Sequence, residues 1–219
     1  MFLFADTAGM EKRNSPAVLR HKIAVRELKN IVIVFTAISF LGWCIEMLSC
    51  FFLSGGWYDR GFLTLPLCTI YGTAAVAYYY LFGLPQNPRF LKWRISVSKG
   101  AVNAVLRYLY YFLATALFAA ILEYLTSFFF DSAFSVRLWY YEGYAYNISG
   151  YVSLGFTLIW GALSTAFMRF GFLPIFRGAA LIPEKTITVA SAVIIAALLA
   201  DYAFSYIFLA AQGHLFTLF

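Results

Sequence analysis

Residues 31–53 read IVIVFTAISFLGWCIEMLSCFFL, and Glu46 is the one charge among them. About 20 mainly apolar residues suffice for a helix to cross a bilayer, so the reading is a spanning helix. Four more blocks of that kind follow, at 62–84, 101–130, 151–173 and 187–211. The third is long enough to tilt or to project from the membrane. The composition agrees, with 63% hydrophobic and 12% charged residues, against about 45–50% and 25% in an ordinary soluble domain. Little is left for a soluble domain. The expectation is an all-α protein with five transmembrane helices, residues 1–30 forming a basic N-terminal arm and 31–219 the membrane domain.

The net charge of +6 is placed asymmetrically. Lys12, Arg13, Arg20, Lys22, Arg26 and Lys29 precede the first block, and Arg89, Lys92, Arg94 and Lys99 lie between the second and third. Arg169, Arg177 and Lys185 lie at or between the ends of the fourth and fifth, whereas the other two loops carry only Arg60 and Arg137. The positive-inside rule then places the N-terminus in the cytoplasm and the C-terminus outside. Cations arranged this way speak for a membrane and against nucleic acid. The long charged stretch before the first block, with no small-residue cleavage pattern after it, does not read as a signal peptide. Residues 16–30 mix apolar and basic side chains at helical spacing, which suits either an interfacial helix or a basic flank.

A duplication is legible. Ile45-Glu46-Met47-Leu48-Ser49-Cys50-Phe51-Phe52 ends the first block, and Leu122-Glu123-Tyr124-Leu125-Thr126-Ser127-Phe128-Phe129 closes the third. The blocks that follow match through Thr69-Ile70-Tyr71-Gly72 and Leu158-Ile159-Trp160-Gly161. The expected architecture is two parallel helical hairpins plus a fifth helix.

The repeat puts chemistry at one depth. At about 1.5 Å of rise per residue, Glu46 and Glu123 lie roughly 10 Å below the outer surface, with Tyr71 and Trp160 roughly 13 Å down. Asp201 falls near the level of Glu46. Intramembrane acids are costly and mark ion, proton or substrate paths by default. The plainer alternative is a protonated carboxyl bonded to a neighbouring helix. Arg60 and Arg137 are better placed than Arg107 to reach an acid. Among outer-loop residues, Asp59, Arg60, Trp139 and Asn147 are candidates, within tyrosine-rich stretches that also suit an interfacial aromatic belt. Asn147-Ile148-Ser149 fits a glycosylation sequon, which matters only in a secretory pathway. Cys44, Cys50 and Cys68, with His21 and His214, form no metal, redox or nucleophile–base pattern, so no cofactor or metal is expected.

Ser39-Phe40-Leu41-Gly42-Trp43 with Glu46, then Asp59-Arg60-Gly61-Phe62-Leu63, Pro66 and Ile70-Tyr71-Gly72, resemble the bacterial family labelled putative ABC-transporter permease, type IV. Glu123-Tyr124, Trp139-Tyr140-Tyr141, Tyr146-Asn147 with Gly150, Trp160-Gly161, and Asp201 with Ser205 resemble its second half. Asp59 stands where the family usually has Asn, and Tyr140 where it usually has Asp. Any chemistry of that loop Asp is therefore lost here or moved to Glu142. The resemblance implies a transport-related protein of the cell membrane. The sequence holds no G-x-x-x-x-G-K-[ST] loop, so an ABC role requires a separate ATPase on the basic segment 85–100. A homo-oligomer, a non-catalytic scaffold binding lipid or protein, and an enzyme acting on a lipid-linked substrate remain open.

Overall fold

The computed structural model describes residues 16–57, 61–95 and 100–216. Among them are six helices: α1 (Pro16–Ser54), α2 (Thr69–Phe82), α3 (Ala101–Phe134), α4 (Leu154–Phe170), α5 (Phe172–Leu181) and α6 (Glu184–Gln212). Five short strands fold the loops. Strands β1 (Gly83–Leu84), β2 (Asn87–Phe90) and β3 (Trp93–Arg94) form an antiparallel sheet after α2. Strands β4 (Asn147–Ile148) and β5 (Val152–Ser153) pair just before α4, with Ile148 opposite Val152.

Three helical stretches are long and apolar enough to cross a membrane: Arg20–Phe52, Ala101–Phe134 and Glu184–Gln212. A fourth arises if α4 and α5, bent by 43° at their junction, count as one span. The chain is therefore all-α with membrane-spanning character, but two expected blocks are not simple helices. The block 62–84 is helical only from Thr69 to Phe82. Pro66 disfavours helical backbone at Leu65, and the amides of this stretch find acceptors elsewhere. Thr64 N and Leu65 N donate to the Asp201 carboxylate on α6 at 3.1 and 2.9 Å, and the Thr64 hydroxyl at 2.5 Å. Cys68 N donates to the Ser39 carbonyl of α1 at 3.0 Å. Irregular backbone away from water survives only when the protein supplies such partners.

The block 151–173 is shortened by β5 at its start and broken at Gly171. Pro174 has no N–H, and its ring collides with the carbonyl four residues back in a continued helix, which accounts for the break. Tyr71 thus sits in the first turn of α2 and Trp160 in the second turn of α4, both nearer their helix starts than the sequence reading had them. Residues 16–30 run on into the first span as a single helix.

The core gathers Val34 and Ile38 of α1, Tyr78 and Phe82 of α2, Tyr111 of α3, Met168 of α4 and Phe172 of α5. Two close approaches set the helix pairs. A Cβ on Gly72 would fall within 3 Å of the Ser39 side chain and the Phe35 carbonyl of α1. One on Gly161 would lie 2.7 Å from Ala116 and 3.2 Å from the Phe112 carbonyl of α3. The fully buried Tyr111 donates its hydroxyl to Gly83 O at 3.0 Å, closing the end of α2. At the α5–α6 junction, Arg26 donates to the carbonyls of Ala180 and Ile182 at 3.0 and 2.6 Å, satisfying orphan groups of a helix end. Arg26 and Lys29 also pair with Glu184 at 2.7 and 2.6 Å.

Removing the Asp201 carboxylate leaves two loop amides without acceptors. Asp201→Ala is expected to cost on the order of 3 kcal/mol, read as a lowered melting midpoint in detergent. Asp201→Asn, which keeps one acceptor oxygen, should lose less.

Candidate functional site

Gly42 and Glu46 are one helical turn apart on α1, so they share a face. A Cβ on Gly42 would lie within 3 Å of the Tyr71 ring, so the glycine is what lets that ring lie flat on α1. From there the Tyr71 hydroxyl donates to Glu46 Oε1. The Tyr71 ring meets the Trp160 ring edge-on, with centroids 5.7 Å apart and planes at 72°. Trp160 leads to the second acid. Its indole N–H lies beside the Glu123 carboxyl and the Tyr141 hydroxyl, yet meets neither at hydrogen-bonding geometry. Tyr141 donates to Glu123 Oε1 at 3.3 Å. Glu123 is 8% exposed, and its Oε2 is buried without a hydrogen-bond partner.

These groups enclose a cavity of about 640 Å³ lined by Glu46, Tyr71, Glu123, Trp139, Tyr141 and Trp160, among others. A second cavity of about 480 Å³ adjoins it, with Phe62, Phe129, Tyr202 and Tyr206 in its wall. Glu46, Ile70, Tyr71, Leu122, Leu138 and Trp139 belong to both linings and so form the partition between the two spaces.

The loop over the larger cavity is built around Arg137. Its guanidinium pairs with Asp131 at 2.9 Å and Glu142 at 2.5 Å, and lies over the rings of Tyr140 and Tyr151. Hydrogen bonds to Glu142 and Asp131 push its pKa up further, so it stays charged. Arg137 does not reach back to Glu123. Trp139 donates its indole N–H to Tyr151 O at 2.8 Å, which fixes the ring over the cavity. Tyr141 is buried beneath the loop, and burial raises its phenol pKa, with the charge of Glu123 adding to the rise. It is a hydrogen-bond donor at neutral pH.

The structure thus brings Glu46, Glu123, Tyr71, Trp160 and Trp139 together. Asp201 lines neither cavity and instead holds residues 64–65. Asn147 bonds Glu142 O and Tyr144 O and accepts from Gly150 N, which makes it a turn-forming residue. Glu142, the suggested substitute for a loop Asp, is exposed and spent on Arg137. Asp59 and Arg60 lie outside the described residues. The sequence singles out neither Tyr141, one of many loop tyrosines, nor Gly42, which enters only as part of the family motif. The four-residue spacing of Gly42 and Glu46 was the available signal for the latter.

The family model described as putative ABC-transporter type IV matches residues 33–206. The chain belongs to that family. No curated protein and no solved structure matches it. The matched stretch holds both glutamates, the whole lining shared by the two cavities, and Asp201. Family and apolar helices together make this a membrane transport-related protein.

Gly42→Ala gains up to about 1 kcal/mol of helix propensity but overpacks the Tyr71 contact, at about 1–3 kcal/mol. Gly42→Ala should melt at or below the wild-type midpoint, and it and Tyr71→Phe, which removes the donor to Glu46, should both lose function. Gly178→Ala, where a Cβ meets nothing within 4 Å, should melt at or above it.

Proposed function

We propose that this chain is a permease-type subunit of the cell membrane whose substrate or ion path runs through the cavity between Glu46 and Glu123. The observation that carries the reading is that one 640 Å³ cavity has both glutamates and a tryptophan–tyrosine wall in its lining. Intramembrane carboxyls facing a cavity are the usual mark of a transport path. The volume is in the range of small-molecule sites, about 300–1,000 Å³.

The path sits in a five-pass chain with the N-terminus in the cytoplasm and the C-terminus outside. The skewed distribution of Lys and Arg supports that orientation. The second pass combines the irregular stretch 61–68, stabilised from Asp201 and Ser39, with α2, which alone rises only about 21 Å. The hairpins α1–α2 and α3–α4 are two copies of one unit. Supporting this, Gly72 packs on Phe35 and Ser39 just as Gly161 packs on Phe112 and Ala116, with the same spacing to Glu46 and Glu123. These 219 residues hold no P-loop, and energy enters from a separate ATPase subunit on the cytoplasmic side. The sheet after α2 offers such a subunit exposed Phe90, Leu91 and Trp93 interleaved with Lys92 and Arg94.

Two experiments test this. In a strain lacking the gene, wild-type chain should restore the distribution of a small molecule between cells and medium, measured by mass spectrometry. The Glu46→Gln/Glu123→Gln double variant should reach the membrane at equal level and fail to restore it; full restoration by the double variant removes both acids from the mechanism. For the topology, a periplasmic phosphatase should be active when fused after residue 216 and inactive when fused after residue 95.

A further inference from the structure

Resting on the reading of the larger cavity as a substrate path, we propose that the smaller cavity is a side entrance from the bilayer. The substrate is then an amphiphile whose hydrocarbon chain lies in that slot. The first ground is where the slot sits. Helix α6 packs along α1 and stands off from α2 and α3. Rings bridge the gap at one end, where Phe62 lies 4.9 Å from Phe130 of α3 and 4.5 Å from Tyr206 of α6. Leu122, Leu125, Thr126, Phe129 and Phe130 line the slot from α3 and recur at the spacing of one helix face. Leu125 and Phe129 are 57% and 47% exposed. They continue the exposed stripe of Leu117 and Ile121 on this spanning helix, so the slot opens onto its lipid-facing surface.

The second ground is shape and chemistry. From Leu122 to Phe130 the stripe rises roughly 12 Å. That is near the depth of one leaflet, half of a hydrocarbon core about 30 Å thick. Spread over that length, 480 Å³ leaves a section of roughly 40 Å², about half that of a helix 10 Å across. A partner's helix does not fit, and an extended chain does. Glu46 is the one acid or base among the described lining residues, and it accepts from Tyr71. Thr69 and Tyr202 share a hydrogen bond of 2.5 Å, and Trp139 donates to Tyr151 O. The other hydroxyls of the wall, on Thr73, Thr126 and Tyr206, carry no charge. A polar solute would give up its water for a wall that is mostly hydrocarbon. A lipid chain gives up nothing by entering, and it supplies contacts that an unfilled slot forfeits. It would lie against Glu46 and Tyr71, the partition to the larger cavity.

The probe is a lysophosphatidylcholine with a diazirine in mid-chain, added to nanodiscs that hold the purified full chain. After illumination, labelled positions are mapped by mass spectrometry as the mole fraction of probe rises. Labelling of 122–130 and 138–139 should saturate and be competed by the unlabelled lipid. Labelling of the exposed α6 positions Val189, Val193 and Leu199 should rise linearly, as ordinary lipid contact does. Thr73→Trp and Leu125→Trp place a ring in the slot from exposed positions. Each should keep the melting midpoint, cut the saturable labelling at least tenfold, and fail to restore the deletion strain. Labelling that never saturates, that is even between slot and α6, or that survives both folded variants overturns the proposal. Full restoration by both variants after labelling is lost also overturns it, because the chain in the slot is then not the substrate's. If slot labelling fails while restoration still requires the two glutamates, the substrate class is wrong and the path stands. If slot labelling and its loss hold while the double glutamate variant restores fully, the entrance stands and the acid path falls.

Discussion

Everything around the cavity depends on satisfying a few backbone amides away from water. Residues 61–68 must return the chain toward α1 at the level of Glu46 without forming a helix, and each buried N–H left unpaired there costs about 1–3 kcal/mol. Asp201 supplies both carboxylate oxygens to Thr64 and Leu65, and the Ser39 carbonyl takes the amide of Cys68. With that stretch fixed, α2 begins where Tyr71 falls on Gly42 and reaches Glu46. The last helix of the chain therefore sets the position of a side chain in the second, and through it the partition between the two cavities.

The polar groups divide by the work they do. Asp201, Asn147, Arg26 and the Asp131–Arg137–Glu142 group are consumed by architecture: a loop, a turn, a helix end and the cover of the cavity. Glu123 is the exception, with one carboxyl oxygen unpaired beside the equally unpaired indole N–H of Trp160. A carboxylate deep in a membrane protein costs a few kcal/mol even on mild scales. A fold that merely needed a hydrogen bond at this place could use Gln.

Much of this was legible in residue order, and the gaps have physical causes. The apolar blocks anticipated the long helices α1, α3 and α6, and the paired Glu motifs singled out Glu46 and Glu123, which line one cavity. Periodicity and depth do not report facing, so the meeting of Glu46, Tyr71, Trp160 and Glu123 was a guess the helix rise alone could not make. Asp201 shows the limit most plainly. Its level along α6 matched the two glutamates, but the amides it serves lie 137 and 136 residues away, and no local pattern records them. Hydropathy likewise read 62–84 as one helix, because Phe62, Leu63, Leu65 and Leu67 are apolar whether wound or not; Pro66 was the only local hint of irregular backbone.

The long reach of Asp201 also bears on how the chain is made. Thr64 leaves the ribosome well before its acceptor, with 137 residues still to be added. At roughly 5–20 residues per second that is a wait of roughly 7–27 s. Through it the amides of Thr64 and Leu65 need water, lipid headgroups or the insertion machinery as temporary partners. The first hairpin can enter the membrane early, but it settles only when α6 arrives. The chain is thus locked from its far end, and a nascent chain stopped short of α6 carries an unfinished α1–α2 unit as its most vulnerable part.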